Sequence, residues 1–206
     1  MNGWRLVGTL SLLLSAMALW IVVSHGGNVE GVRLAIRATA RTSLVLFALA
    51  FTAGALVELL PSEATSWQRR NRRYLGVSFA VSHFIHLGAI VALATLDREL
   101  FWKLTNVTTI VLAGTAYLFI AAMAATSFDR SAAWLGPRKW RLLHLVGGWY
   151  IWISFAVAIG KRVPLDPFYW PMAALVLAIA VVRVIAMSRR NRRRGVLEMQ
   201  KARAAS

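Results

Sequence analysis

The 206-residue chain contains no cysteine. A disulfide, a metal held by thiolates and an iron–sulfur cluster ligated by this chain are therefore excluded. Acidic residues are also scarce, since 8 Asp and Glu stand against 24 Lys and Arg, and the formal net charge is +16. Any metal site in this chain must therefore be built mainly from other ligands.

Polar residues are too few for a soluble surface. Hydrophobic residues make up 58% of the sequence, and the mean hydropathy is +0.59, which is typical of a membrane protein. The basic residues collect in short clusters that flank long apolar stretches, where they would meet lipid headgroups. Such clusters do not form the wetted basic face that a nucleic-acid-binding protein needs. Membrane lipid is the expected partner, and nucleic acid is not.

Apolar stretches long enough to cross a bilayer occur six times. A membrane-spanning helix needs about 20 apolar residues. The predicted segments are 4–24, 40–60, 74–96, 104–126, 139–160 and 168–188. The sequence therefore predicts an all-α, polytopic bundle of six transmembrane helices over residues 1–188, followed by a basic cytoplasmic tail over 189–206.

The basic connections predict the orientation. Arginines and lysines follow the second, fourth and sixth segments at 69–73, 130–141 and 189–194. Positive charge favours the cytoplasmic side, so both termini are expected there, in a bacterial-type inner membrane. The exception is an arginine stripe with a spacing of four, formed by Arg33, Arg37 and Arg41 on the outer side. Such a stripe lies on one face of a helix that continues into the second segment, and it suits anionic lipid headgroups. Arg41 is close enough to the bundle to bind the carboxylates of a bound group instead.

Three of the four histidines lie inside predicted membrane segments. His83 and His86 are in the third segment and His144 is in the fifth, whereas His25 lies at the end of the first and gets no site assignment. An ionisable side chain at membrane depth is costly and usually marks a functional site. The simplest alternative is that these imidazoles are neutral and hydrogen-bond to hydroxyls of neighbouring helices.

Imidazoles from two facing helices suit the axial positions of a heme iron. We predict that His144 and either His83 or His86 bind one b-type heme, with heme iron as the metal. The depth of the residues along their helices favours His83 as the partner of His144. Arg41 is a candidate contact for a propionate of this heme. A histidine zinc site competes with this prediction, but no Asp, Glu or Cys lies at membrane depth to complete a tetrahedral set, since Glu58 is near the inner end of the second segment and Asp97 lies beyond the third.

The chain resembles the ferric reductase-like transmembrane family, which includes the heme-binding membrane subunit of bacterial methionine sulfoxide reductase and the membrane domain of NADPH oxidases. The resemblance covers roughly residues 38–160. The matching motifs are Arg41-Thr42-Ser43, Asn71-Arg72-Arg73-Tyr74-Leu75-Gly76 with the following histidines, and Arg141-Leu142-Leu143-His144.

The resemblance implies a heme histidine at His86 on the third helix and at His144 on the fifth. The family usually has a second histidine about thirteen residues after the latter, where this chain has Val157. One heme is therefore expected rather than two. The resemblance also implies that electrons pass from the cytoplasmic side to an outer acceptor. Because a G-x-G-x-x-G fingerprint is absent, a separate flavin reductase or quinol is expected to supply them.

These expectations describe an electron-transfer component of an oxidoreductase rather than a complete enzyme. The alternative is a non-redox membrane transporter, assembly factor or anchor that uses the intramembrane histidines for proton or metal handling. A transporter of that kind predicts a polar pathway through the bundle.

Overall fold

The computed structural model describes residues 2–204, without the side chains of Arg194 and of residues 201–204. Within this part of the chain there are nine α-helices and one short 3-10 helix at Pro167–Tyr169. The α-helices are α1 Trp4–Ser24, α2 Val29–Leu59, α3 Glu63–Arg70, α4 Arg72–Leu96, α5 Arg98–Leu104, α6 Val107–Ala125, α7 Asp129–Leu135, α8 Pro137–Gly160 and α9 Trp170–Ala204.

Six of these helices, α1, α2, α4, α6, α8 and α9, are long and apolar enough to cross a membrane. The prediction of an all-α bundle with six membrane-spanning helices is therefore confirmed, and the chain is a multi-pass membrane protein. The three other α-helices are short and connect the spans. Polar side chains begin two of them, since Ser62 forms a reciprocal capping box with Thr65 before α3 and Asp97 caps α5, satisfying the first free N–H groups.

The predicted boundaries differ most at the second and sixth spans. Helix α2 begins at Val29 because Asn28 caps it, with Oδ1 accepting from the N–H of Gly31 at 2.9 Å. The arginine stripe from Arg33 to Arg41 therefore belongs to the same helix as the second span, as its spacing predicted. Helix α9 continues to Ala204, so the predicted tail at 189–206 is helical as far as that residue, and residues 205–206 lie outside the described part.

Three contacts bring the basic connections to one end of the bundle, which we call the basic end. Asn71, between α3 and α4, accepts a hydrogen bond from the Gly3 backbone through Oδ1 at 3.1 Å. Arg73 forms an ion pair with Asp129 of α7, and its guanidinium holds the pKa of that exposed carboxyl below the usual range. Arg190 of α9 pairs with Glu58 of α2 at 2.5 Å. The basic clusters thus share one side of the bundle, as predicted.

The core of the bundle is centred on α2, which packs against α4, α8 and α9. Phe47 of α2 lies at its middle, with ring centroids 5.4 Å from Phe79 of α4 and 5.6 Å from Phe155 of α8. Toward the basic end, Gly148 of α8 lets the ring of Phe51 approach the helix backbone closely. These contacts fix the axial position of α8 relative to α2 and α4.

We expect Gly148→Ala to destabilise the bundle. A Cβ at this position would lie 2.5 Å from Cε2 of Phe51, which requires a backbone or ring shift costing about 1–3 kcal/mol. Thermal unfolding of the purified protein in detergent measures the effect. Gly114→Ala on α6 is the matched control, because nothing lies within 4 Å of a Cβ there. Equal stability of the two variants would contradict the close packing of α8 on α2.

Candidate functional site within the membrane bundle

The three intramembrane histidines lie at two levels of the bundle. His83 and His86 are neighbours on α4, with ring centroids 5.3 Å apart. His83 also lies beside Phe155 of α8, at 5.7 Å between centroids. His144 precedes Phe155 by eleven positions on the same helix, which corresponds to about 16 Å along the axis. The structure therefore brings His83 and His86 together and places His144 apart from both, toward the basic end.

His83 is surrounded by aromatic rings and lacks a hydrogen-bond partner for one nitrogen. Its ring centroid lies 4.9 Å from that of Tyr117 on α6 and 5.4 Å from that of Phe79. The Tyr117 hydroxyl donates to the backbone carbonyl of His83 at 3.2 Å. The Nδ1 of His83 is buried and unpaired among the residues that the structure describes. A buried polar atom of this kind is costly and calls for an explanation.

His86 is held by the backbone of α2. Its Nδ1 lies 3.1 Å from the carbonyl oxygen of Ile36 and 3.0 Å from the hydroxyl of Thr39. A carbonyl oxygen only accepts hydrogen bonds, so Nδ1 carries the proton and Nε2 keeps its lone pair. Histidines that bind metals usually donate their other ring N–H to a carbonyl in this way. The tautomer of His86 is thus compatible with a ligand role through Nε2.

A row of buried hydroxyl groups joins α2 to α4 on the same face. Ser43 and Ser82 lie 2.9 Å apart through their Oγ atoms, and Thr42 lies 3.3 Å from Ser82. We call Thr39, Thr42, Ser43, Ser82 and His86 the hydroxyl seam. Sequence reasoning missed the seam as a unit, although hydroxyl residues recurring three or four positions apart on both helices signal it.

His144 lies against α6 near the basic end. Its ring stacks on Trp140, one turn earlier in α8, with centroids 4.1 Å apart. Its Nε2 is 3.4 Å from the hydroxyl of Thr126, which itself donates to the carbonyl of Ala122 at 2.7 Å. The single long contact leaves His144 weakly held compared with His86.

A cavity of about 280 Å³ opens beside His144, between α2, α4, α6 and α8. This volume is below the range of about 300–1,000 Å³ that is usual for ligand sites. Most of its wall is apolar or aromatic. The described residues that line it are Phe47, Ala50, Phe51, Arg72, Arg73, Gly76, Phe79, Ala80, Ile120, Met123, Ala124, Thr126, Ser127, Ala132, Trp140, His144 and Ile151.

Arginines supply the positive charge of this cavity. Arg72 and Arg73 are on its wall at the start of α4. Arg183 of α9 does not line the cavity but contacts Phe51, which does. Its guanidinium lies 4.2 Å from the ring centroid of Phe51, and NH1 donates to the Phe51 carbonyl at 3.3 Å. The Nε of Arg183 is buried and unpaired among the described residues. The cavity therefore combines an imidazole, an apolar wall and nearby guanidinium groups.

Arg41 does not line this cavity. Its guanidinium is 4.4 Å above the ring centroid of Phe168, in the short 3-10 helix before α9. This contact is at the end of the bundle opposite the basic end, on the level of His86 rather than of His144. The structure thus does not bring Arg41 to the histidine that borders the cavity.

The residue types at the cavity suit a heme better than a zinc ion, but the cavity as it stands is smaller than a porphyrin ring needs. Carboxylate, imidazole and thiolate ligands do not form a cluster of three or more anywhere in the described residues, whereas a protein zinc site normally has at least three. A heme needs an axial imidazole, an apolar slot and cations for its propionates. His144, the apolar wall and Arg72 supply these. The slot is narrow, because Phe51 and Met123 lie against Gly148 and Gly147 of α8.

The pairing of His144 with His83 or His86 on one iron stays a prediction. Both axial nitrogens of one iron must lie within a few ångströms of each other, and the separation along α8 counts against that arrangement. No protein-family model, no curated protein and no solved structure matches this chain. The assignment of a function therefore depends on the site itself.

Removing one hydroxyl of the seam tests its contribution. Thr39→Val keeps the shape of the side chain and leaves the His86 Nδ1 with the Ile36 carbonyl alone. We expect a loss of about 0.6–2 kcal/mol, the range for hydrogen bonds between membrane helices, measured by denaturant unfolding in detergent.

Thr115→Val is the control for this substitution. The Thr115 hydroxyl is exposed on α6 and donates only to the carbonyl of Val111 in its own helix, at 3.0 Å. An equal loss of stability in both variants would show that the seam between α2 and α4 contributes nothing specific.

Proposed function

We propose that this protein is a b-type heme subunit that transfers electrons across a membrane, similar to the ferric reductase-like transmembrane family. The observation that carries the proposal is the cavity at His144, where an imidazole and guanidinium groups meet on an apolar wall inside the bundle.

The chain's own residues would bind and orient the cofactor. His144 would supply an axial nitrogen, and Arg72 would pair with propionate oxygens at the basic end. The heme supplies one-electron chemistry when it is bound. One heme is proposed rather than two, because Val157 stands where the similar family has a second histidine on this helix. The protein would serve as an electron-transfer component and would depend on partners for the complete reaction.

The proposed subunit receives its electrons from a separate electron donor. The basic end carries most of the arginines of the connections and of the end of α9, so it attracts an acidic surface on a flavin reductase through long-range electrostatics. A quinol is the other candidate donor, and it would reach the cavity from the lipid. The electron acceptor lies on the opposite side of the membrane in this proposal.

We further propose a bacterial-type inner membrane location with both termini in the cytoplasm. Its support is the concentration of basic residues at the basic end. Because the chain has no cysteine, single cysteines at exposed positions report the orientation directly. We expect Leu165→Cys, before α9, to react with a membrane-impermeant maleimide in right-side-out spheroplasts.

Ala133→Cys in α7, at the basic end, is the matched probe. It should react only after the membrane is permeabilised. The reverse labelling pattern would overturn the orientation and would leave the heme proposal untouched.

Heme binding is tested by the absorption spectrum of protein purified from heme-replete cells. We expect a Soret band in the wild type and its loss in His144→Ala, because the axial nitrogen disappears. His25→Ala is the matched control, since His25 is exposed at the end of α1, and it should keep the full band per protein. A wild-type preparation without a Soret band would overturn the proposed function.

The hydroxyl seam favours one second candidate, a non-redox protein that uses histidines for proton or metal passage. The seam supplies polar groups that such a pathway needs. Its hydroxyls are already engaged, however, since Thr39 and Thr42 donate to carbonyls of their own helix at 2.6 and 3.2 Å. Proton- or metal-dependent transport by a heme-free preparation in vesicles would favour this candidate over the heme subunit.

A further inference from the structure

We propose that the basic end contains a binding site for the phosphate group of an anionic phospholipid, where α9 packs against α2 beside the start of α4. Arg183 of α9 is the deepest contact of this site. The lipid comes from the membrane leaflet at the basic end. The site involves none of the histidines, and it does not rest on the proposed function.

Helix α9 packs against α2 through two arginines. Arg183 and Arg190 are two turns apart on one face of α9, which separates them by about 10 Å along the axis. NH1 of Arg183 donates to the carbonyl of Phe51 at 3.3 Å, and NH2 of Arg190 donates to the carbonyl of Gly54 at 3.1 Å. Phe51 and Gly54 are one turn apart on α2. The two guanidinium groups are therefore fixed at two depths of the same helix contact.

Positive charge is in excess at this contact. Arg72 and Arg190 lie close enough to Arg183 for their charges to repel it, and Arg69 lies within the same range of Arg72. Within the part of the chain that the structure describes, these four guanidinium groups form one ion pair, between Arg190 and Glu58 at 2.5 Å. Like charges in a poorly polarisable surrounding repel each other strongly. A bound anion relieves this repulsion.

The hydrogen bonds of Arg183 are incomplete. Its guanidinium lies 4.2 Å from the ring centroid of Phe51 and 5.8 Å from that of Trp149 on α8. Its Nε is buried without a partner among the described residues, so contacts within the bundle do not satisfy this side chain. The side chain as a whole is partly exposed. Phosphate oxygens accept from its remaining N–H groups in the fork geometry that a guanidinium prefers.

The depth of the arginines indicates a lipid rather than a soluble anion. Arg183 lies inside the apolar stretch 168–188, and Arg190 follows that stretch. A phosphodiester reaches this level from the headgroup layer while its acyl chains lie along the apolar helices, whereas free phosphate would have to leave water. Basic pockets between transmembrane helices on the cytoplasmic side bind anionic headgroups in this way. An anionic phospholipid therefore fits the charge, the depth and the surroundings of the site.

The experiment measures lipid binding to the delipidated full-length protein in a neutral detergent by native mass spectrometry. We expect one tightly bound dioleoyl phosphatidylglycerol per protein. Arg183→Gln should weaken its affinity about fivefold, the effect of one arginine at the membrane surface. Dioleoyl phosphatidylcholine, which has the same chains and no net charge, should bind far more weakly. Displacement of phosphatidylglycerol by millimolar inorganic phosphate would show a site for free anions and would overturn the lipid assignment.

Arg138→Gln is the matched control, because Arg138 is exposed at the start of α8 and its loss removes the same charge from the same end. It should keep the wild-type affinity. Glu58→Gln tests the opposite direction, since it frees Arg190 and removes the neighbouring negative charge, and it should strengthen phosphatidylglycerol binding. Equal affinity for the two lipids, equal losses in Arg183→Gln and Arg138→Gln, or weaker binding in Glu58→Gln would each overturn the site.

Arg183→Lys is the further variant for the case in which Arg183→Gln does not fold. Lysine keeps the charge but lacks the planar fork of donors, so the variant should lose affinity for phosphatidylglycerol and not for phosphatidylcholine. Unchanged phosphatidylglycerol affinity in both Arg183→Lys and Glu58→Gln would overturn the site. A wild-type protein without heme would overturn the proposed function and leave this lipid site unaffected.

Discussion

The pairing of α2 with α4 is the constraint on which the rest of the bundle depends. Lipid offers no hydrogen-bond partner, so polar side chains at membrane depth must find partners in the protein. Thr39, Ser43 and Ser82 are completely buried, and their hydroxyls meet across the two helices or bond to their own backbone. A shift of α4 by one residue would break the Ser43–Ser82 and Thr39–His86 contacts together. The seam therefore sets the axial position of α4.

That position determines what each histidine can do. With α4 fixed, His86 is tied to the α2 backbone, and His83 is enclosed by aromatic rings. The packing of Phe155 and Gly148 against α2 then fixes α8, which leaves His144 near the basic end with a cavity beside it. The sequence groups these three histidines only by their position in membrane segments. In the structure His86 is anchored, His83 is enclosed and His144 is accessible to a ligand.

The six spans could be predicted because apolar length and charge placement depend on the bilayer and not on tertiary packing. The arginine stripe predicted that the second span extends beyond the bilayer as a helix, but its start at Val29 depends on a single capping residue, Asn28, and was not predicted. The residues of the candidate site were predicted by type, but their grouping was not. Counting residues from assumed membrane boundaries gave His144 and His83 a smaller difference in depth than the structure shows. In the structure Phe155 lies beside His83, and His144 is about 16 Å from Phe155 along α8.

The guanidinium groups around the cavity have an electrostatic consequence. Asp129 compensates Arg73 and Glu58 compensates Arg190, whereas Arg72 on the cavity wall and Arg183 behind Phe51 have no carboxylate partner among the described residues. Charges in a poorly polarisable interior act strongly over short distances. An occupant that gains an electron is therefore stabilised there, and one that carries positive charge is repelled. The basic end thus forms an electrostatic well for negative charge inside the bundle.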